Sequence, residues 1–335
     1  MRHGFVKVAA ATPKIKVADT VYNTEQIRLL MTESAAWGAR ITVFPELCIT
    51  GYTCQDLFLQ EKLIAGAKDA LMQLAEASAS IPGIYFVGLP YEINGKLYNV
   101  AAAISDGQVL GMVPKSWIPN YNEFYEMRHF ASGAELSTDV TLPDGSEVLV
   151  DREQLFVCEQ MNKLKIGVEL CEDLWTPNPP SIAHALAGAD VIVNLSASNE
   201  ITGKSAYRKE LVCGQSARLV SAYIYASAGE GESTQDLVFS GHNLIAENGR
   251  LLAESKRFGY GVIYTEIDVE KLIAERRRMT TFATQDGYVE TSFELEPEET
   301  KLTRYIDPAP FVPGNKDERD KRCDEILMIQ AMGLK

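Results

Sequence analysis

The chain has few of the features that mark metal centres, disulfide-bonded proteins or membrane proteins. Its six cysteines, at positions 48, 54, 158, 171, 213 and 323, include no CxxC pair and keep no regular spacing, so free thiols are expected rather than a disulfide framework or a zinc site. The four histidines show no HExxH spacing, which gives metal catalysis little support. No long apolar run occurs, so no membrane-spanning helix is expected.

Positive charge is also scarce. The 32 lysines and arginines are outnumbered by 46 aspartates and glutamates, and the net charge is −14. Nucleic acids and anionic membranes would be repelled by such a protein, so neither is an expected partner, whereas small neutral or zwitterionic substrates fit better. The N-terminus opens into an apolar strand instead of a signal peptide, which predicts a soluble, cytoplasmic protein.

Apolar strands alternate with amphipathic helices along most of the chain, which predicts an α/β fold. Strands are predicted at 5–11, 41–44, 84–89, 97–104, 108–113, the run ending at Cys171, 191–195, 222–226, 236–245, 250–255 and 261–267, and helices at 23–39, 61–79, 181–187, 204–217 and 269–279. The dipeptides Asn94-Gly95, Asp106-Gly107 and Asn248-Gly249 favour tight hairpins. Two similar halves predict a four-layer α-β-β-α sandwich of two mixed sheets with outer helices.

The pattern weakens near residue 281. Residues 294–300 are acidic, and Pro308, Pro310 and Pro313 interrupt any regular element, which is typical of a linker. Helical spacing returns at 317–335. We therefore expect a folded domain at 1–280, followed at 281–335 by a linker and the start of a second domain that the chain does not contain.

Three reactive side chains follow apolar strands directly. Glu46 comes after the strand 41–44, Lys115 after 108–113, and Cys171 after its own strand. Reactive groups of α/β sheets stand at the carboxyl ends of strands, so these three are expected to face one point. Each has a plainer reading, as a capping residue, a solvated charge and a buried small side chain respectively.

A base, a cation and a thiol together predict covalent amide hydrolysis. Cys171 would be the nucleophile, helped by a cationic neighbour that lowers its pKa. Glu46 would move protons between the thiol, the leaving ammonia and the hydrolytic water. Lys115, with the main-chain N–H of Cys171 or of its successor, would stabilise the tetrahedral oxyanion, and each such donor contributes about 3 kcal/mol.

The sequences around these residues are similar to those of a known family. The segments Phe44-Pro45-Glu46 with Gly51-Tyr52, Pro119-Asn120-Tyr121 through Glu126, and Cys171-Glu172-Asp173-Leu174-Trp175 resemble the nitrilase superfamily and, more narrowly, the glutaminase domain of glutamine-dependent NAD synthetases. The resemblance covers about residues 5–280. It implies the two-sheet sandwich and the triad of Glu46, Lys115 and Cys171.

The resemblance also implies a glutamine site. The matching substrate-binding positions are Tyr121, Glu172, Trp175, Ser198 and Lys204. An acid for the substrate ammonium, a base or hydroxyl for its carboxylate and an aromatic wall suit an amino acid. The superfamily uses a second glutamate to orient the lysine, and either Glu123 or Glu126 could take that part.

The same resemblance sets the expected partners. L-Glutamine is the expected substrate, with its ammonia destined for amidation of deamido-NAD, and a homo-oligomer is the superfamily's usual state. No cofactor is expected for the glutaminase domain. ATP and Mg are expected only for a C-terminal synthetase domain, whose pyrophosphate-binding loop does not occur in this sequence.

Three other interpretations stay open from the residues alone. The chain could be another superfamily amidase or carbamoylase that acts on small amides. It could use a cysteine–histidine mechanism, with His184 the nearest histidine, although the glycines of a Gly-x-Cys-x-Gly elbow do not flank Cys171. It could also be a non-catalytic fragment that keeps the site residues without using them.

Overall fold

The computed structural model describes residues 2–161, 164–296, 298–312 and 314–335. The strands are β1 (Phe5–Thr12), β2 (Ile41–Val43), β3 (Ile84–Ile93), β4 (Lys96–Ser105), β5 (Gln108–Pro114), β6 (Ser137–Thr141), β7 (Glu147–Asp151), β8 (Gln154–Cys158), β9 (Leu164–Leu170), β10 (Val191–Ser196), β11 (Ala222–Ser227), β12 (Leu244–Glu247), β13 (Arg250–Glu254), β14 (Gly261–Asp268) and β15 (Val289–Phe293). The α-helices are α1 (Thr20–Ala36), α2 (Glu61–Ser78), α3 (Pro180–Leu186), α4 (Lys204–Leu219), α5 (Val269–Arg278) and α6 (Lys316–Leu334).

The first sheet has the order β14-β1-β2-β3-β4-β5-β7-β6. Its strands β1, β2 and β3 run parallel, and the hairpins β3–β4 and β4–β5 make it mixed. The predicted turn dipeptides connect these hairpins: Asn94 and Gly95 have φ of 52° and 74°, and Asp106 and Gly107 have φ of 46° and 81°. Positive φ at both central residues matches the right-handed twist of the flanking strands.

The second sheet has the order β13-β12-β11-β10-β9-β8-β15. Strands β9, β10 and β11 are parallel, and their residues are almost entirely buried, as expected for strands covered on both faces. Strand β12 is antiparallel to β11 and pairs with β13 across the Asn248-Gly249 turn. Both sheets are therefore mixed.

The two sheets pack face to face around one large apolar cluster. That cluster joins side chains of the first sheet, such as Val8 and Val43, to side chains of the second, such as Val168 and Val193. Helices α1 and α2 cover the other face of the first sheet, and α3 and α4 cover the other face of the second. The predicted four-layer sandwich is confirmed.

Two regions differ from the strand prediction. Residues 236–245 were expected to be one strand, but β12 begins only at Leu244, because the preceding residues form a loop with a single bridge between Asn199 and Phe239. Strand β15, in the predicted linker, pairs parallel with β8 and places Phe293 in the core. The compact unit consequently extends to Leu302, beyond the predicted boundary at 280.

Residues 303–335 form a second compact unit. It contains α6, which agrees with the helical spacing of 317–335, and Asn315 caps the helix by accepting the main-chain N–H of Asp317. Neither α6 nor any other helix in the described parts of the chain is long and apolar enough to cross a membrane.

Candidate active site

Glu46 lies directly after β2, in a turn that packs closely on β3. A Cβ atom at Gly88 would lie 2.4 Å from the main-chain nitrogen of Leu47, so only glycine leaves room for this turn. The Glu46 side chain is fully buried. Its Oε1 accepts hydrogen bonds from Asn99 Nδ2 at 2.7 Å and from Lys115 Nζ at 2.6 Å. Its Oε2 has no hydrogen-bond partner among the described residues, so this oxygen can accept a proton.

Lys115 extends from the end of β5 into the same interior. Its main-chain N–H donates to Asn99 O at 2.8 Å, and its ammonium group is fully buried. Burial disfavours the charged ammonium, but the carboxylates of Glu126 and Glu46 outweigh it and hold the pKa of Lys115 well above its usual value. Lys115 is therefore a permanent cation in the site.

The second glutamate at Lys115 is Glu126. Lys115 Nζ donates to both oxygens of Glu126, at 2.7 and 2.8 Å, and Tyr52 Oη donates to Glu126 Oε1 at 2.8 Å. Burial, opposed by Lys115 and reinforced by Glu46, raises the pKa of Glu126 to about 7. Glu123, the other candidate, accepts a hydrogen bond from Asn199 Nδ2 at 2.6 Å and thus belongs to a different group of residues.

Cys171 follows β9 with a backbone that few residues adopt. Its φ of 44° lies in the left-handed region, where a residue other than glycine is strained and must be held by its surroundings. The Cys171 N–H donates to Asn194 Oδ1 at 3.3 Å. Since this N–H already has an acceptor, the main-chain N–H of Glu172 is the better candidate for the predicted oxyanion donor.

The thiol is buried and is not a thiolate in the resting site. Burial and the neighbouring Glu46 raise the pKa of Cys171 far above that of an ordinary thiol, and Lys115 offsets only part of this rise. Lys115 lowers the pKa of the thiol, as expected of a cationic neighbour, but burial and Glu46 outweigh its effect in the resting site. A base has to remove the proton as the sulfur attacks, which suits the unpartnered Glu46 Oε2.

Asn194 is held in turn by a buried polar chain that the sequence did not reveal. Asn194 Nδ2 donates to Tyr223 Oη at 3.1 Å, and Tyr223 donates to Glu169. Glu169 also accepts the main-chain N–H of Ser181 at 2.8 Å, and burial raises its pKa. The polar asparagine inside the apolar strand β10 was the available signal, because a buried polar side chain has to find hydrogen-bond partners.

Two of the predicted substrate-binding residues meet at the mouth of the site. Tyr121 Oη donates to Glu172 Oε1 at 2.7 Å, and Tyr121 is half exposed. Burial raises the pKa of Glu172, the hydrogen bond from Tyr121 opposes that rise, and Lys115 and Lys204 also act against it. A partly exposed acid beside the nucleophile is positioned to accept an ammonium group.

The other three predicted substrate-binding residues, Trp175, Ser198 and Lys204, lie beside the mouth and, with Asn199, are called the substrate wall below. Lys204 donates to Asn199 Oδ1, and its ammonium lies 5.1 Å from the ring centroid of Trp175 and 5.7 Å from that of Phe124. Ser198 is buried, and its hydroxyl accepts a hydrogen bond from the fully buried Arg208 at 3.3 Å. Since Glu123 also binds Asn199, the structure brings Lys204, Trp175 and Glu123 into one network.

Other candidates are placed elsewhere. His184 is buried between Tyr288 and the carbonyl of Val168, with no hydrogen bond to Cys171 among the described residues. The other cysteines are free thiols within the described residues, with Cys48, Cys54 and Cys158 buried. No cluster of three or more potential metal ligands occurs in the part of the chain that the structure describes. The site thus combines a thiol, a free carboxylate oxygen and a fixed cation.

Comparison with known proteins shows the family of the chain. Residues 7–277 match the carbon–nitrogen hydrolase family, and the chain therefore belongs to this family, which is the nitrilase superfamily. Among its relatives, glutamine-dependent NAD(+) synthetase of Mycobacterium tuberculosis is 39% identical over 345 residues, and that of Aquifex aeolicus is 28% identical over 320 residues. These matches include 99% and 95% of this chain respectively.

Solved structures agree with the fold. A glutamine-dependent NAD(+) synthetase from Cytophaga hutchinsonii has a TM-score of 0.71 at 29% identity and aligns with 78% of this chain and 43% of its own. An amidase from Nesterenkonia sp. has a TM-score of 0.63 at 18% identity, covering 83% of this chain and 97% of its own, and shows the fold alone. The chain spans about half the length of the curated relatives it matches, 51% in both cases given above.

Proposed function

We propose that the chain hydrolyses L-glutamine to glutamate and ammonia through a cysteine thioester. The observation that carries this proposal is the buried group of Glu46, Lys115 and Glu126 beside Cys171, in which Glu46 Oε2 alone of the four carboxylate oxygens lacks a partner among the described residues. A cation between two acids stays charged, and the acid with a vacant oxygen can move protons.

The reaction begins at the neutral thiol. Glu46 takes the proton from Cys171 Sγ as the sulfur bonds to the amide carbon of glutamine, and the carbonyl π electrons move to oxygen. Lys115 and the N–H of Glu172 stabilise this oxyanion, for which Lys115 has to share a hydrogen bond that it makes to Glu126 in the free site. Collapse of the intermediate breaks the C–N bond, and Glu46 returns its proton to the leaving nitrogen as ammonia forms.

The second half of the reaction uses the same groups. Glu46 takes a proton from water as the water oxygen attacks the thioester carbon, and Lys115 again faces the oxyanion. The C–S bond then breaks, the proton returns to sulfur, and glutamate leaves. One carboxylate serves both halves because it gains a proton and gives it up again in each.

Substrate selection follows from the charges at the mouth. Glu172, with Tyr121 beside it, would receive the α-ammonium group of glutamine, and Lys204 the α-carboxylate. Trp175 would face the aliphatic part of the substrate, and the Ser198 loop would close the wall. The carboxylate of Glu172 and the ammonium of Lys204 at one entrance favour a zwitterion over a short aliphatic amide.

In a longer protein such as the matched relatives, the ammonia would amidate deamido-NAD. Residues 281–335 would then comprise the connection to a C-terminal synthetase domain, whose reaction would need ATP and Mg. The glutaminase site itself uses no cofactor in this proposal. A homo-oligomer and a cytoplasmic location complete it.

A substrate panel with a covalent probe tests the proposal. Wild-type chain should release ammonia from glutamine and not from acetamide, propionamide or simple nitriles, and a diazo-ketone analogue of glutamine should add one covalent adduct to Cys171, seen by intact mass. Cys171→Ala should lose both, whereas Cys213→Ala, which changes a half-buried thiol on α4, should keep both. Hydrolysis of the short amides without glutamine turnover would show that the chain is one of the other superfamily amidases. If no compound is turned over and none forms an adduct, the chain is a non-catalytic fragment.

A further inference from the structure

Asp173 connects the loop of the cation to the loop of the nucleophile. Its carboxylate is buried and accepts three main-chain N–H groups, from Trp117 at 2.8 Å, from Leu170 at 3.1 Å and from Ser116 at 3.4 Å. Ser116 and Trp117 come directly after Lys115, and Leu170 directly precedes Cys171. One side chain thus joins the main chain on the carboxyl side of the lysine to the main chain on the amino side of the cysteine.

These bonds fix the backbone at the exits of β5 and β9, where the sheet ladders end. Beyond β5 the lysine loop lacks a regular ladder, and Cys171 has the strained φ of 44°. A strained residue persists only where its surroundings over-determine its conformation. Asp173 and Asn194 supply such restraints, since Asp173 accepts the N–H of Leu170 and Asn194 accepts that of Cys171 itself.

Burial raises the pKa of the Asp173 carboxyl to about 7, and the hydrogen bonds from main-chain amides oppose that rise. Within the described residues Asp173 takes part in no ion pair, and all three of its bonds come from main-chain amides. A buried carboxylate is costly to desolvate, and hydrogen bonds from N–H groups compensate for that cost. An asparagine of the same shape would place an amide NH₂ against at least one of these N–H donors.

We propose that Asp173 is a positioning residue that sets the separation of the Lys115 ammonium from the Cys171 sulfur by clamping the two loops together. Its kinetic consequence depends on the proposed glutaminase reaction, but the clamp itself does not. Loosening it would change the separation of the reacting ammonium and sulfur, so we expect its kinetic effect chiefly in kcat.

The test compares Asp173→Asn with a matched buried acid. Asp190 is also buried, accepts the main-chain N–H of Lys165 at 3.3 Å and pairs with Arg276, away from both active-site loops. For Asp173→Asn we expect kcat for glutamine to fall about tenfold or more while KM changes less than about twofold. Asp190→Asn should keep the wild-type kcat, whatever it does to stability.

A measurement without substrate separates this inference from the proposed function. In the free wild-type chain Cys171 is buried and its thiol is protonated, so iodoacetamide should alkylate it slowly. Asp173→Asn loosens the clamp beside the strained Cys171, and this should speed alkylation of the Cys171 peptide, measured by mass spectrometry. Asp190→Asn should leave that rate unchanged.

Asp173→Glu is the second variant. It keeps the charge but adds a methylene, so it cannot meet both loops at their native separation, and we expect kcat to fall while the chain stays folded. Three results would overturn the proposal. The first is a kcat and an alkylation rate in Asp173→Asn that equal those of the wild type, and the second is a change in Asp190→Asn as large as that in Asp173→Asn. The third is unfolding of both Asp173 variants. Absence of glutamine turnover in the wild type would refute the proposed function alone, since the alkylation comparison would still decide the role of Asp173.

Discussion

The ammonium nitrogen of Lys115 lies 2.7 and 2.8 Å from the two carboxylate oxygens of Glu126. Glu126 also accepts the hydroxyl of Tyr52, so both of its oxygens already accept hydrogen bonds. Glu46 differs from it in having one oxygen without a partner among the described residues. The two glutamates that contact Lys115 thus have different roles: Glu126 orients Lys115, and Glu46 is suited to proton transfer.

Glu126→Gln and Glu123→Gln form a matched pair that tests this assignment. Glu126→Gln removes a charge that Lys115 contacts directly, and we expect kcat for glutamine to fall on the order of 10- to 100-fold, less than when an oxyanion donor is deleted outright. Glu123 contacts Asn199 in the substrate wall, so Glu123→Gln should mainly raise KM. Steady-state ammonia release measures both, and a larger kcat loss in Glu123→Gln would reverse the assignment.

The raised pKa of Glu126 predicts how stability depends on pH. Burial, opposed by Lys115, moves this pKa from 4.5 to about 7 in the folded protein. Between these two values the folded state holds a proton that the unfolded state has lost, so this group's contribution is greatest below pH 4.5 and is lost as the pH rises to about 7. Urea unfolding at pH 5 and pH 8 should show a wild-type advantage over Glu126→Gln that is smaller at pH 8. An advantage that grows with pH would contradict this.

The ends of the strands could be predicted from the sequence, because they depend on the apolar and polar residues within a few positions of each end. Glu46, Lys115 and Cys171 each follow an apolar run closed by proline or by a polar turn, and the carboxyl ends of such runs meet in the packed sheets. The hairpin turns were predictable for the same reason, since Asn-Gly and Asp-Gly accept the required positive φ. Local chemistry was sufficient for these features.

Long-range contacts determine the features that were missed. The choice between Glu123 and Glu126 depends on the path of an irregular loop, in which Glu126 N bonds Pro119 O. Strand β15 shows no apolar alternation in its sequence, because most of its residues are exposed. It is a strand because it pairs with β8, which lies far earlier in the chain. Asp173 looked like part of a motif, and its role depends on a loop more than fifty residues away.

Arg208 and Lys209 offer a second test of the substrate wall. Arg208 is fully buried and donates to Ser198 Oγ, to Asn199 O at 3.0 Å and to Glu200 Oε2 at 3.0 Å, which fixes three consecutive residues of that loop. Arg208→Met should raise KM for glutamine at least about tenfold and destabilise the fold by about 3 kcal/mol, because the buried Glu200 loses the nearer of its two charge partners, Arg208 and Arg257.

The adjacent lysine is the control for that prediction. Lys209 pairs with Glu254 in a partly exposed site, and such ion pairs contribute about 0 to 1 kcal/mol. Lys209→Met should therefore leave KM and the urea midpoint nearly unchanged. Isothermal titration with the Cys171→Ala background measures glutamine binding without turnover, and equal affinities for the Arg208→Met and Lys209→Met chains would show that Arg208 does not support the wall.

His184 distinguishes the proposed mechanism from one that uses a cysteine–histidine pair. Its Nε2 donates to Val168 O at 2.9 Å and its Nδ1 accepts from Tyr288 Oη at 2.8 Å, an assignment that follows from the carbonyl partner. Burial lowers the pKa of His184 to about 4, so the ring is neutral at pH 7 and both nitrogens are occupied. It is a structural residue in this arrangement, because no ring nitrogen is left for a proton from sulfur.

We therefore expect His184→Ala to keep kcat for glutamine within about threefold of wild type, whereas loss of its buried ring and two hydrogen bonds should destabilise the fold by about 2 to 4 kcal/mol. Tyr288→Phe removes one of those bonds and leaves the ring in place, so it should cost about 1 kcal/mol and leave activity intact. Urea unfolding and ammonia release measured on the same samples separate the two effects. A folded His184→Ala chain without activity would favour histidine as the base. Glu46 would then not be the group that takes the proton from Cys171, since the thiol needs only one proton acceptor.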